Sequence, residues 1–129
     1  MKGRVLVVDD DTALAEMIGI VLRSEGFEPV FCADGDSALS VFRASQPDLV
    51  LLDMQLPDIS GLELLRHLKQ DDDVAAIPVV VVSADATTRQ TEAALTSGAL
   101  HYVTKPLDVA DFLRRIDEIL DGGDSRLGS

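Results

Sequence analysis

Three aspartates follow runs of apolar residues in the sequence. Asp9 and Asp10 come directly after VLVV, and Asp53 comes directly after DLVLL. Carboxylates that meet at one place repel one another and have raised pKa values unless a cation joins them. Carboxylate, carbonyl and water oxygens are ligands that suit Mg²⁺ better than Zn²⁺. The three acids therefore predict a magnesium site, provided that the fold brings them together.

A hydroxyl and an ammonium group follow two further apolar runs. Ser83 comes directly after VVVV, and Lys105 follows LHYV by one residue and precedes a proline. A divalent cation, a carboxylate nucleophile and a lysine together suit phosphoryl transfer. The cation and the lysine neutralise phosphoryl oxygens while the carboxylate attacks phosphorus. The predicted chemistry is therefore transfer of a phosphoryl group to or through an aspartate.

Five short apolar segments alternate with stretches that are long enough for helices. These candidate strands are VLVV (5–8), EPVF (28–31), DLVLL (48–52), VVVV (79–82) and LHYV (100–103). Five successive βα units predict a parallel sheet with helices on both faces. The carboxyl ends of its strands share one edge, where doubly wound folds bind ligands. We therefore expect the polar residues that follow the strands to lie close together.

The intervals between the candidate strands carry signals for helix starts. Asp11 or Thr12 is the candidate N-cap of the first helix, and Ser60 followed by Glu63 matches a capping box at the start of the third. The interval 87–97 has few large apolar residues, so we expect the fourth helix to pack lightly and to be a candidate moving part.

Composition restricts the function further. The chain has 129 residues and a formal net charge of -12, which repels a polyphosphate backbone and disfavours direct binding of nucleic acid. His67, His101 and Cys32 are too scattered for a zinc site, and a lone cysteine forms no disulfide within the chain. No long apolar span or signal peptide is present, so we expect a cytoplasmic protein without a membrane role.

The length fits a single domain, and the last residues differ from the rest. The tail GGDSRLGS has no apolar periodicity and two adjacent glycines. We therefore predict one domain at residues 1–121, followed at 122–129 by a disordered tail, a linker or a cloning remnant.

The ordered motifs VLVVDDD, LVLLDMQLPDISG, PVVVVSA and YVTKP resemble the response regulator receiver domain of two-component signalling, of chemotaxis-regulator-like type. The resemblance covers about residues 3 to 121, and the spacings from Asp53 to Ser83 and to Lys105 match those that are usual in the family. It implies a flavodoxin-like, doubly wound (βα)5 α/β fold with three layers and the parallel sheet order 2-1-3-4-5.

The resemblance also implies roles for the acidic residues. Asp53 would accept a phosphoryl group from the phosphohistidine of a histidine kinase, from a phosphotransfer domain or from a small phosphodonor. Asp10 would bind Mg²⁺ directly, Asp9 would help to bind it through water, and the backbone carbonyl of Gln55 would supply a further ligand. The domain would catalyse only its own phosphorylation and dephosphorylation, without turnover of an external substrate. Gln55 and Asp85 resemble positions that tune hydrolysis of the acyl phosphate.

A switch is the further implication of the resemblance. Ser83 would be the switch hydroxyl and, with Lys105, part of the catalytic set, while Tyr102 would be the aromatic switch residue. The Lys105-Pro106 bond is expected to be cis. Phosphorylation would then remodel the face formed by helix four, strand five and helix five. That face would bind an unknown downstream protein, and the domain would be a monomer or a weak phosphorylation-dependent dimer.

Three alternatives stay open at this point. The domain could be an interaction module that is not phosphorylated, or a Mg²⁺-dependent phosphohydrolase with an aspartyl nucleophile. The best-known enzymes of that kind carry a second acid two residues after the nucleophile, where this sequence has Gln55. The chain could also be an engineered chimera, because residues 1 to about 52 resemble receivers of winged-helix transcription regulators and the later part resembles receivers of hybrid histidine kinases.

Overall fold

The five apolar segments form the strands of one parallel sheet in the computed structural model of the chain. The strands are β1 (Gly3–Val8), β2 (Phe27–Cys32), β3 (Leu49–Asp53), β4 (Val79–Ser83) and β5 (His101–Thr104). Their order across the sheet is β2-β1-β3-β4-β5. All described neighbours pair in parallel. The predicted fold class and strand order are therefore confirmed.

Five helices connect and cover the strands. They are α1 (Thr12–Ser24), α2 (Gly35–Ser45), α3 (Gly61–Gln70), α4 (Thr88–Thr96) and α5 (Val109–Gly128). The structure describes residues 2–71 and 75–128, with side chains as far as residue 120. The α5 backbone continues into the segment predicted as a tail, whose side chains lie outside the described residues, so the boundary between residues 1–121 and 122–129 stays a prediction.

Side-chain caps begin the helices at the predicted places. Asp11 is the N-cap of α1 and accepts a hydrogen bond from the amide of Leu14. Ser60 is the N-cap of α3 and accepts one from the amide of Glu63. These bonds satisfy amides that lack a partner within the helix.

Apolar side chains from both faces of the sheet form two core clusters. On one face, Leu6 and Leu52 pack with residues of α2 and α3 such as Phe42 and Leu65. On the other face, strand residues pack against α1 and α5, with Ile116 among the most buried. The three central strands are covered on both sides, which explains why they are almost wholly apolar.

The fourth helix packs lightly, as predicted. Ala94 is its one buried residue, and Leu95 beside it is 44% exposed. No helix among the described residues is long and apolar enough to cross a lipid bilayer.

Candidate functional site

Three carboxylates meet at the edge of the sheet where the parallel strands end. Asp9 and Asp10 follow β1, and Asp53 is the last residue of β3. One oxygen of each lies within 4.8 Å of an oxygen of the others. Asp9 and Asp53 are only 6% and 5% exposed, and Asp10 is exposed. The fold therefore brings together the acids that the sequence predicted to meet.

Backbone amides hold the two buried carboxylates in place. The Asp9 carboxylate accepts a hydrogen bond of 2.9 Å from the amide of Asp11. The Asp53 carboxylate accepts one of 3.1 Å from the amide of Gln55. The Asp9 amide itself donates to the carbonyl of Cys32, at 3.0 Å, on the neighbouring strand. The carboxylates of Asp9 and Asp53 each keep lone pairs on their oxygens for another partner.

Lys105 supplies a positive charge to the same site. Its Nζ lies 3.6 Å from an oxygen of Asp9 and 3.6 Å from an oxygen of Asp53. Its backbone amide donates to the carbonyl of Ser83 at 2.8 Å, which fixes the residue at the end of the sheet. The Lys105-Pro106 bond is cis, as expected.

The raised pKa of Asp9 indicates that its own negative charge is not fully compensated in the site. This pKa is raised from 3.8 to about 6, chiefly by burial and also by the negative charge of Asp53. The hydrogen bond from Asp11 and the charge of Lys105 act in the opposite direction without cancelling the rise. The site gathers three carboxylates, and the ammonium of Lys105 lies near two of them, so a hard divalent cation with oxygen ligands fits this set of residues.

Ser83 and Tyr102 both bind the backbone of Asp85, in the loop after β4. The Ser83 hydroxyl, at the buried end of that strand, accepts a hydrogen bond of 3.1 Å from the amide of Asp85. The Tyr102 hydroxyl donates one of 2.5 Å to the carbonyl of the same residue. The Tyr102 ring is half-buried against the apolar cluster beneath α2 and α3. The two predicted switch residues are thus joined through one peptide segment.

Gln55 lies in the loop between β3 and α3, residues 54–60, which we call the acceptor loop. Gln55 forms an isolated bridge with Ser60, and the amide of Gly61 donates to the carbonyl of Met54 at 2.9 Å. These contacts close the loop at its base, so the backbone of Gln55 is held beside Asp53.

Two features of the acceptor loop were not predicted. Asp58 accepts hydrogen bonds from the amides of Gly35 and Asp36, which begin α2. Gly61 presses on the loop so closely that a Cβ there would lie 2.4 Å from the Cα of Met54 and 2.6 Å from the carbonyl oxygen of Asp53. Gly61 ends the motif LVLLDMQLPDISG, so its signal was present in the sequence. The contacts of Asp58 join residues that are 22 and 23 positions apart and left no such signal.

A protein-family model and curated relatives match most of the chain. The family model describes the response regulator receiver domain and matches residues 5–117. The DNA-binding response regulator MtrA of Mycolicibacterium smegmatis is 43% identical over 116 residues, covering 90% of this chain and 50% of MtrA. The phosphate regulon transcriptional regulatory protein PhoB of Escherichia coli is 38% identical over 120 residues, covering 93% and 52%. The chain thus spans about half the length of these curated relatives.

Solved structures have the same architecture. The CheY-like response regulator receiver domain protein of Methanospirillum hungatei has a TM-score of 0.87 and 31% identity, covering 95% of this chain and 97% of that one. The BeF3-activated receiver domain of Klebsiella pneumoniae RstA has a TM-score of 0.85 and 29% identity, covering 91% and 97%. These matches cover both the N-terminal and the C-terminal half of the chain. They do not bear on whether the chain is an engineered chimera, which stays a hypothesis.

Proposed function

The chain belongs to the response regulator receiver domain family, and we propose that it is a switch in which Asp53 accepts a phosphoryl group. The observation that carries the proposal is the surroundings of the Asp53 carboxylate. It is buried at the end of β3, within 4.8 Å of oxygens of two further carboxylates and 3.6 Å from the Lys105 ammonium. A carboxylate nucleophile beside a lysine and a cation-binding group is the arrangement that phosphoryl transfer to an aspartate requires.

In the proposed reaction, a carboxylate oxygen of Asp53 attacks the phosphorus of a phosphohistidine or of a small acyl phosphate. The new P–O bond forms as the P–N bond of the phosphohistidine breaks, and the imidazole leaves with the bonding electron pair. The product is a mixed anhydride between the carboxyl group and phosphate. Attack of water on its phosphorus releases inorganic phosphate and restores the carboxylate, so the domain acts only on itself.

Mg²⁺ is the proposed cofactor of this reaction. Asp10, Asp53 and the Gln55 carbonyl would hold it directly, and Asp9 would do so through water. When bound, the cation neutralises oxygens of the phosphoryl group. The chain's own contribution is to gather these oxygens in a partly buried place and to keep Lys105 beside Asp53. The raised pKa of Asp9 supports the proposal, because it reports excess negative charge and burial where a cation would bind.

The phosphoryl group is proposed to act on the rest of the domain through Ser83 and Tyr102. A hydroxyl can donate one hydrogen bond while it accepts another, and Ser83 could turn its donor toward the new phosphoryl oxygens. Any such movement acts on Asp85, to which Tyr102 is also bonded. Because α4 follows this loop and buries little, its position relative to β5 and α5 is expected to change.

The proposed partners are a histidine kinase or phosphotransfer domain upstream and an unidentified protein downstream. MtrA is named as a DNA-binding protein, but the match covers half of it. For residues 1–121 we propose no direct contact with DNA, because the chain carries a net charge of -12. The domain is proposed to be a monomer or a weak dimer that forms on phosphorylation.

The test is the intact mass of the protein after incubation with acetyl phosphate, with and without Mg²⁺. The parent chain is expected to gain one phosphoryl group in the presence of Mg²⁺, and Asp53→Asn is expected to gain none. Asp36→Asn is the matched control, because it removes an exposed carboxylate in α2 and makes the same change in charge; it should behave like the parent.

Absence of the gain in a parent chain with the circular dichroism spectrum of a folded α/β protein would overturn the proposal. The interaction module without phosphorylation would then be the better interpretation. A gain that persists in Asp53→Asn would place the acceptor at another residue.

A further inference from the structure

The acceptor loop is attached to the rest of the domain at its tip as well as at its base. Asp58, near the tip, accepts a hydrogen bond of 2.9 Å from the amide of Gly35 through Oδ1 and one of 2.7 Å from the amide of Asp36 through Oδ2. These amides begin α2, where the peptide dipoles favour a negative charge. Both oxygens of one carboxylate are thus used to join the loop to a helix 22 and 23 residues away in the chain.

A second contact beside Asp58 shows that the two segments are built to approach closely. A Cβ at Gly35 would lie only 2.0 Å from Cγ2 of Ile59 and 3.4 Å from Oδ1 of Asp58. Glycine at position 35 therefore lets the loop reach the amides of α2. The Ile59 side chain also packs against the apolar cluster beneath α2 and α3.

Asp58 is not needed as the ordinary cap of α2, because Asp34 has that role. The Asp34 carboxylate accepts a hydrogen bond of 2.9 Å from the amide of Ser37 and one of 2.7 Å from its hydroxyl. Asp34 and Asp58 therefore stabilise the same helix end, but only Asp58 belongs to the acceptor loop. The difference points to a role for Asp58 in the loop rather than in the helix.

The contacts at the base of the acceptor loop link the tip of the loop to the candidate site. The loop is closed by the bridge between Gln55 and Ser60 and by the bond from Gly61 to Met54. The amide of Gln55 also donates to the Asp53 carboxylate. A short closed loop that is held at base and tip has few alternative conformations.

We propose that Asp58 is a positioning residue, which holds the acceptor loop on α2 and thereby fixes the backbone of Gln55 beside Asp53. The consequence for metal binding rests on the proposed function, in which the Gln55 carbonyl is a ligand. The positioning itself does not, and it is measured without metal.

The test compares amide hydrogen exchange in EDTA for the parent chain, Asp58→Ala and Asp34→Ala. The reporters are the amides of Gln55 and Gly61, normalised to that of Leu51 in the core strand β3 so that a global loss of stability cancels. Asp58→Ala is expected to speed exchange of the reporters by about tenfold relative to Leu51. Asp34→Ala should speed exchange at Ser37 and leave the reporters within about twofold of the parent.

The conservative variant Asp58→Asn should partly restore the slow exchange of the reporter amides. It keeps one acceptor oxygen and replaces the other by an NH2 group, which cannot accept a hydrogen bond. Reporter exchange in Asp58→Asn should therefore fall between that of the parent and that of Asp58→Ala. The positioning role is refuted if Asp58→Ala leaves the reporters at the parent rate, or if Asp34→Ala speeds them equally.

A Mg²⁺ titration followed by amide chemical shifts tests the consequence for the site. Asp58→Ala is expected to weaken the affinity by about tenfold, whereas Asp34→Ala stays within about twofold of the parent. Faster loop exchange with unchanged Mg²⁺ affinity would show that Asp58 orders the loop without serving the site, and would overturn that part of the inference. A parent chain that binds no Mg²⁺ and gains no phosphoryl group would instead overturn the proposed function, and the exchange data would still decide the role of Asp58.

Discussion

Two groups of aspartates in this domain have opposite surroundings. The sheet-edge acids, Asp9, Asp10 and Asp53, have carboxylate oxygens within 4.8 Å of one another, and the ammonium of Lys105 lies 3.6 Å from Asp9 and from Asp53. The α2 acids, Asp34 and Asp58, each accept two hydrogen bonds at the start of a helix. The pKa of Asp9 is raised to about 6, chiefly by burial. The pKa of Asp34 is lowered, chiefly by its bonds from Ser37.

The difference separates an acid whose charge the fold stabilises, Asp34, from an acid whose charge the fold disfavours, Asp9. N–H donors stabilise the ionised form of a carboxylate, whereas burial and neighbouring negative charge destabilise it. Asp34 is therefore a structural cap that needs no further partner. Asp9 is held in a place that is unfavourable for its charge, and such sites are candidates for binding a cation or for catalysis. Acidic residues alone do not identify the candidate site, but the raised pKa of Asp9 within the cluster points to it.

Gly61→Ala should disturb both the sheet-edge acids and the α2 acids, because the acceptor loop joins the two groups. A Cβ at position 61 would lie 2.4 Å from the Cα of Met54 and 2.6 Å from the carbonyl oxygen of Asp53, and these are backbone atoms that cannot rotate away. We expect the free energy of unfolding to fall by about 3 kcal/mol. Urea denaturation followed by circular dichroism measures it, and Mg²⁺ affinity should fall with it.

Gly19→Ala is the matched control for that substitution. Its Cβ would meet the end of the Phe31 ring at 2.6 Å, but Phe31 is 42% exposed and its ring can turn outward. Alanine within a helix is also favoured over glycine by about 1 kcal/mol, so this variant should keep the stability of the parent or exceed it. Equal losses for the two variants would argue that the close contact in the acceptor loop is unimportant.

Asp9→Asn sharpens the comparison by removing one uncompensated charge. The amide can keep the hydrogen bond from Asp11, and it is neutral, so it avoids the cost of burying the Asp9 charge. Since the pKa of Asp9 rises from 3.8 to about 6 on folding, we expect the metal-free variant to be more stable than the parent by roughly 3 kcal/mol at pH 7. Chemical denaturation in EDTA measures this difference.

Mg²⁺ should reverse the order of the two proteins. A cation that binds the folded state stabilises it in proportion to its affinity, and the parent keeps the full set of carboxylates. The parent should therefore gain stability with added Mg²⁺, and the variant should gain less. A metal-free variant that is less stable than the parent would contradict the view that Asp9 is held at a cost to folding.

Regular, local patterns made most of the fold predictable. The five apolar segments correspond to the five strands, and Asp11 and Ser60 cap the helices that they were predicted to begin. Polar residues that follow parallel strands meet because of the topology, so the meeting of Asp9, Asp10 and Asp53 followed from the strand assignment. The roles of these residues came from the resemblance to a family and are still proposals.

The attachment of the acceptor loop to α2 could not be predicted in the same way. Asp58 bonds backbone amides, and every residue except proline offers such an amide, so its partners leave no mark in the sequence. Gly35 permits the approach of Ile59, but a glycine before a helix has several common explanations. Contacts between a side chain and a distant backbone appear only when the loop and the helix are placed in three dimensions.

The smallest expected effect is the pH dependence of the metal-free protein. A carboxyl group whose pKa is higher in the folded state binds more protons there, so its ionisation lowers stability as the pH rises from about 4 to about 6. Acidification from pH 7 to pH 5 should therefore stabilise the parent by about 1 kcal/mol relative to Asp9→Asn. The variant shares every other titratable group, so the difference between the two proteins isolates Asp9.

The lowered pKa of Asp34 acts at lower pH, where its protonation destabilises the fold. Urea denaturation in EDTA at several pH values measures both ranges. A parent and a variant with parallel profiles between pH 4 and pH 6 would mean that Asp9 is compensated, and the contrast between the two groups of acids would disappear.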